Sequence, residues 1–186
     1  MILTPVIVAI PQDTPPRSPR RVEQQRMCAR SALQHCAKQC HAPTHGWSKD
    51  VDEVPLPNAG FYWSVSHKRH WAAAVISDRP VGIDIEHIAP RQRELHDALA
   101  DDDEWSVIGN RSWHAFFRLW AAKEATLKAN GVGIAGLTCC RLVEVPDESR
   151  MTLDYLGRFW LVEQFYHAEH VTAVTSNSAK VNWCVV

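Results

Sequence analysis

No run in this chain approaches the ~18 uninterrupted apolar residues that a membrane-spanning helix requires. No charge of one sign prevails either: 20 Lys and Arg face 21 Asp and Glu, for a net charge of -1. A general nucleic-acid binder would be distinctly basic, so that class is disfavoured. Basic residues still cluster locally, as Arg17, Arg20, Arg21, Arg26 and Arg30, and again as Arg118, Lys123 and Lys128. No second CxxC or HxxxH unit joins Cys36, Cys40 and His41, so a structural zinc site is not expected. The six cysteines read as reduced, mostly buried thiols of a cytoplasmic chain. No βαβ alternation carries a Gly-rich turn, which excludes a parallel dinucleotide-binding sheet. Heptads and internal repeats are absent. The first ten residues are apolar but lack a basic leader region and run into Pro11, so they read as a strand rather than a signal peptide.

What remains is a chain of 186 residues, 46% apolar, long enough for one domain or two small lobes with a substantial core. Residues 3–10 have strand character and residues 20–39 have helical composition. Residues 41–60 are loop-like, with Pro43, Gly46, Pro55, Pro57, Asn58 and Gly60. Strands are expected at 61–65 and 71–77, with Ser66-His67-Lys68-Arg69 bending between them, and Asp78-Arg79-Pro80 turns into another strand. The segment 87–111 is polar, with Asp101-Asp102-Asp103-Glu104 as an acidic helix start. Ser112 is placed to cap a helix over 113–129, which Asn130-Gly131 stops. Strands follow at 137–145, 151–156, 159–166, 170–176 and 181–186. Strand clusters around a few helices define an α+β fold.

Two segments carry the chemistry. Val81-Gly82-Ile83-Asp84-Ile85-Glu86 alternates, with Val81, Ile83 and Ile85 on one face and Gly82, Asp84 and Glu86 on the other. On the later helix, Trp113, Phe117, Trp120 and Glu124 share a face, and Lys128 lies one turn beyond Glu124. A carboxylate on an aromatic stripe loses solvation unless a cation or hydrogen bonds compensate. Two acids on one strand face repel, and a hard divalent cation relieves that repulsion. Three converging carboxylates beside lysines therefore point to a divalent cation and a phosphate-bearing substrate. Each feature also has a plainer reading: Glu124 and Lys128 as a surface i,i+4 pair, Asp84 and Glu86 as the wet face of a strand, His67 as a histidine in a basic turn.

The order of these segments resembles the phosphopantetheinyl transferases of the surfactin-synthetase-activating type. The family's Ser-His element appears as Val65-Ser66-His67. Its Gly-(Val/Ile)-Asp-(Val/Ile)-Glu strand is Gly82-Ile83-Asp84-Ile85-Glu86. Its Trp-x-x-Lys-Glu-(Ala/Ser)-x-x-Lys helix is Trp120-Ala121-Ala122-Lys123-Glu124-Ala125-Thr126-Leu127-Lys128. Either acidic motif alone is weak; the ordered pair is specific. The resemblance is clear over about residues 61–135.

The resemblance implies transfer of 4′-phosphopantetheine from coenzyme A to a serine of an apo acyl or peptidyl carrier protein, releasing adenosine 3′,5′-bisphosphate. By position, Asp84, Glu86 and Glu124 would hold Mg²⁺, with Mn²⁺ as a substitute. His67, Lys123 and Lys128 would bind coenzyme A phosphates, and Arg26 and Arg30 would clasp the 3′-phosphate. Glu124 would accept the serine proton, with Lys128 assisting. The implied fold is two similar α+β lobes forming a pseudo-dimer, divided here as residues 1–79 and 80–186, sufficient as a monomer. An acidic carrier would dock near Arg91 and Arg93; neither nucleic acid nor membrane is an expected partner. Two departures stand out: Lys68 follows Ser-His where the family usually has Ser or Thr, and Glu53-Val54-Pro55 replaces a Gly-Lys-Pro segment. Those departures motivate a competing expectation, a coenzyme A-binding regulatory module, and the carboxylates alone allow a metal-dependent phosphodiesterase.

Overall fold

The computed structural model describes residues 2–15 and 17–186; Met1 and Pro16, which the expected first strand and Pro-rich loop touch, lie outside it. The chain begins with β1 (Ile2–Leu3) and β2 (Val6–Ala9), parted at Thr4-Pro5, because proline cannot donate to a ladder. Helix α1 (Pro19–Gln39) starts with Pro19 in its first turn and the Ser18 hydroxyl accepting from Arg21 N at 3.2 Å. The hairpin β3 (Tyr62–Lys68) and β4 (Trp71–Ser77) leads to β5 (Ile83–His87). Short helices α2 (Leu95–Leu99) and α3 (Asp102–Ile108) precede α4 (Trp113–Ala129). The expected caps hold: Ser112 Oγ accepts from Ala115 N, Asp101 accepts from Glu104 N, and Asn130 closes α4. A 3-10 helix (Ile134–Cys139) occupies the start of the expected strand at 137–145. Strands β6 (Cys140–Asp147), β7 (Arg150–Tyr155), β8 (Arg158–His167), β9 (His170–Thr175), β10 (Lys180–Val181) and β11 (Cys184–Val185) complete the chain.

Two main sheets form, ordered β11-β2-β4-β3 and β5-β9-β8-β7-β6, so the fold is α+β with mainly antiparallel pairing. Strand alternation assigns the faces. On β4, Ala72, Ala74 and Ile76 pack with Ala29, Ala32 and Leu33 of α1, while Ala73 and Val75 face Ile83 and Ile85 of β5. On the five-stranded sheet, Met151, Leu153, Val162, Val171 and Ala173 pack under Phe116, Leu119 and Ala122 of α4. The layers therefore run helix, sheet, sheet, helix, and β5 is buried on both faces. The last strands cross back: β10 pairs with β1 and β11 with β2, both parallel and only two residues long.

Candidate active site

The site forms where β3 runs beside β5 without a backbone ladder. Residues two apart on β3 point at β5, and each finds a partner there. Ser64 Oγ accepts from Ile83 N at 3.1 Å, Ser66 Oγ donates to Asp84 Oδ1 at 2.8 Å, and Lys68 Nζ lies 2.8 Å from Glu86 Oε2. This repeat corrects the expected bend at Ser66-His67-Lys68-Arg69. The strand continues through Lys68, and only Arg69, with φ at +52°, and His70 turn the chain.

Gly82 explains why α4 can lie so close to β5. A Cβ at Gly82 would stand 1.9 Å from the carbonyl oxygen of Ala125 and 2.7 Å from Ala129 N. With no side chain there, the last turns of α4 rest on the strand backbone. Lys128 Nζ then donates to Ile83 O at 3.2 Å and to Asp84 Oδ1 at 2.6 Å. Lys128 is thus paired with Asp84 rather than with Glu124, which corrects the expected i,i+4 contact. The plain reading of Asp84 and Glu86 as a wet strand face also fails, because they are only 4% and 7% exposed.

Burial dominates the acid chemistry. The Glu86 carboxyl is pushed up to about 7 by desolvation and by Asp84, with Lys68 opposing. Glu124 is half-buried, and desolvation followed by Asp84 raises its pKa above the usual carboxylate range. Among the described residues Glu124 makes no hydrogen bond or ion pair. It sits near Asp84.

His67 points to the other side of β3, toward α1, and its outer edge reaches solvent. Partial burial, then Lys128, Arg26 and Lys49, hold its pKa below the usual imidazole value, so positive groups surround it. Arg26 and Arg30 are exposed one turn apart on α1. Beside Lys128 opens a cavity of about 190 Å³ lined by Lys49, Glu53, Val54, Ser64 and Gly131. Lys49, Ser64 and the contact made by Lys68 were not anticipated. The Ser64-x-Ser66-x-Lys68 alternation was the available signal.

One residue is withdrawn. Lys123 is 1% exposed, paired with buried Glu104 at 2.8 Å and donating to Leu99 O at 2.8 Å, on the far side of α4 from the acids. Its ammonium is engaged by Glu104 and Leu99 O rather than by the β5 acids. Glu104 also accepts from Leu142 N, so this pair fastens α3, α4 and β6 together. Arg118, from the same basic run, is likewise spent on Gln164 Oε1 and on the carbonyls of Asp147 and Arg150.

Asp84, Glu86 and Glu124 are therefore neighbours. Among the described residues, however, no group of three or more His, Cys, Asp or Glu already stands at metal-ligand spacing. The physical reason is that Lys128 and Lys68 each hold one of the acids. The donor set still fits a hard cation: among the described residues Asp84 Oδ2 is a buried oxygen with no hydrogen-bond donor, and buried Glu86 Oε2 faces only the Lys68 ammonium. Cys36, Cys40 and His41 form no such set; Cys36 is buried with its thiol against Thr4 O and Ala74 O and pushed up to about 12 by burial.

These features match a known family. Residues 80–177 match the family model of the 4′-phosphopantetheinyl transferase superfamily, and the chain belongs to that superfamily. The matched region carries the β5 acids and all of α4. Among named relatives, the 4′-phosphopantetheinyl transferase psf-1 of Bacillus pumilus is 35% identical over 89 residues, 46% of this chain and 36% of that protein. A putative 4′-phosphopantetheinyl transferase of Haemophilus influenzae is 31% identical over 114 residues, 55% of this chain and 47% of its own length. The 4′-phosphopantetheinyl transferase Sfp of Bacillus subtilis is 30% identical over 84 residues, 43% and 37% respectively. The chain thus spans less than half the length of the relatives it matches.

Proposed function

We propose that this chain transfers 4′-phosphopantetheine from coenzyme A to a serine hydroxyl of an apo acyl or peptidyl carrier protein. The observation that carries the reading is the half-buried, unpartnered Glu124 beside the buried Asp84 and Glu86, with Lys128 and His67 adjacent. In this reading the serine oxygen bonds to the phosphorus that bears the pantetheine. The bond from that phosphorus to the bridging oxygen breaks, and adenosine 3′,5′-bisphosphate leaves. Glu124 takes the serine proton; its raised pKa makes it a better base than an exposed carboxylate. Lys128 and His67 donate to the phosphate oxygens, where negative charge accumulates. Asp84, Glu86 and Glu124 would hold Mg²⁺, or Mn²⁺, which supplies charge neutralisation at the diphosphate.

The cavity beside Lys128 would receive part of coenzyme A, with Lys49 facing its phosphates. Arg26 and Arg30 would extend that positive surface along α1. We place the acidic carrier near Arg91 and Arg93, both exposed, where the Arg91 guanidinium already lies over the Phe117 ring at 5.7 Å. A working unit of two similar lobes, 1–79 and 80–186, acting as a monomer in the cytoplasm, belongs to the same proposal. Incubation with apo carrier, coenzyme A and Mg²⁺ tests it by the gain of a phosphopantetheine mass on the carrier.

One observation favours a second reading, coenzyme A binding without turnover: Lys68 occupies Glu86, and Glu53-Val54-Pro55 lines the cavity where the family commonly has Gly-Lys-Pro. Calorimetric binding of coenzyme A beside the activity assay separates the two.

A further inference from the structure

The two lysines on the acid cluster are not equivalent. Lys128 is anchored twice, to Asp84 Oδ1 and to the carbonyl of Ile83, and it leaves Asp84 Oδ2 free. Among the described residues Lys68 has one partner only. Its ammonium sits 2.8 Å from Oε2 and 3.1 Å from Oε1 of Glu86, so it covers both oxygens while donating a directed hydrogen bond to Oε1 alone. Its side chain is 42% exposed against 9% for that of Glu86. It stands at the end of β3, next to the Arg69-His70 turn.

An ammonium at that position and a divalent cation bound to the same carboxylate would be like charges within one contact distance, a strongly unfavourable arrangement. One of them must leave. The exposed stem of Lys68 lets it move into solvent at low cost, whereas the buried Glu86 cannot follow it.

Resting on the function proposed above, we infer that Lys68 is a resident counter-ion of Glu86 that a divalent cation must displace, so that it sets the threshold for cation binding and couples that binding to the anionic substrate. In the free protein Lys68 neutralises Glu86 and holds it oriented. With cation and diphosphate both present it turns to the phosphate oxygens. Cation binding is therefore weak alone and strengthened by a diphosphate. No bond is made or broken in this exchange.

The test is titration of the full chain with Mn²⁺ at pH 8, read as free Mn²⁺ by electron paramagnetic resonance, with and without inorganic pyrophosphate. Lys68→Met keeps the apolar stem and removes the charge; Lys68→Gln is the second variant, and both are checked for native unfolding. The expected result is Mn²⁺ affinity without pyrophosphate raised roughly three- to tenfold in both variants. The strengthening by pyrophosphate should shrink in both. Unchanged or weaker Mn²⁺ binding in Lys68→Met and Lys68→Gln, with binding lost in Asp84→Asn, overturns the role of Lys68 and leaves the carboxylate site standing. Binding unaltered by Asp84→Asn and Glu124→Gln overturns the site reading and this inference together.

Discussion

Position on one helix decides the fate of neighbouring charges. Lys123 lies between Leu119 and Leu127 at i±4, on a buried row, while Glu124 lies between Trp120 and Lys128 on the row that faces β5. Adjacent letters of one motif thus have opposite surroundings: Lys123 fastens the fold and Glu124 lies near Asp84. The flanking leucines were legible in the sequence, but Glu104 as a buried partner was not, because its pairing spans nineteen positions of irregular and helical chain. Two outcomes follow. Lys123→Ala leaves Glu104 buried and uncompensated and should lower stability by about 3–5 kcal/mol in urea unfolding, without weakening coenzyme A binding at temperatures where the variant is folded. Glu124→Gln and Asp84→Asn should unfold like the parent and lose transfer, read as carrier mass; near-normal transfer in either removes that residue from the site.

The elements were read more easily than their junctions. Caps at Ser112 and Asn130, and the strand at 71–77, follow from local chemistry that does not depend on tertiary contacts. The 3-10 turn before β6 and the extension of β3 to Lys68 depend on neighbours, and local propensity alone does not report them. Gly82 joins both levels: its absent side chain sets the distance between β5 and α4. Gly82→Ala should therefore destabilise by about 1–3 kcal/mol through overpacking, visible as a lower midpoint in urea unfolding.

A second junction is titratable. At the ends of β4, β5 and β9, the rings of His70, His87 and His170 lie 4.8 to 6.2 Å apart. Burial, first of all, lowers the pKa of His170, and its neighbours His87, His70 and Arg69 push the same way. The folded chain resists protonation there, so the unfolded chain takes up protons first as the pH falls below the ordinary value of about 6.5. The cluster's contribution is present above that pH and lost as the pH falls through the depressed values. Stability in urea should drop between pH 7.5 and pH 5.5, and His170→Phe should flatten the slope. An equal slope in the variant would contradict this assignment.

At the scale of the molecule, residues far apart in sequence close the structure. Leu3, Val81, Val181 and Trp183 meet around the core between the two sheets, and β10 and β11 return to the first two strands. A bend at Asp78-Arg79 leads into β5, the C-terminal strands pair back across it, and no local signal indicated the parallel pairing. Deleting residues 178–186 should remove β10 from β1 and β11 from β2, which keeps β4, and should lower the unfolding midpoint in urea, with the α4–β6 region affected least in hydrogen exchange.

The acid cluster spans β5 and α4, and Lys68 of β3 and Lys128 of α4 pair with its acids. The most direct measurement is the mass of an apo carrier protein after incubation with the folded chain, coenzyme A and Mg²⁺, across fatty-acid, polyketide and peptide carriers. The account predicts a phosphopantetheine increment on at least one carrier that disappears with Glu124→Gln. Carriers that all remain unmodified, beside a chain shown to be folded, would contradict it.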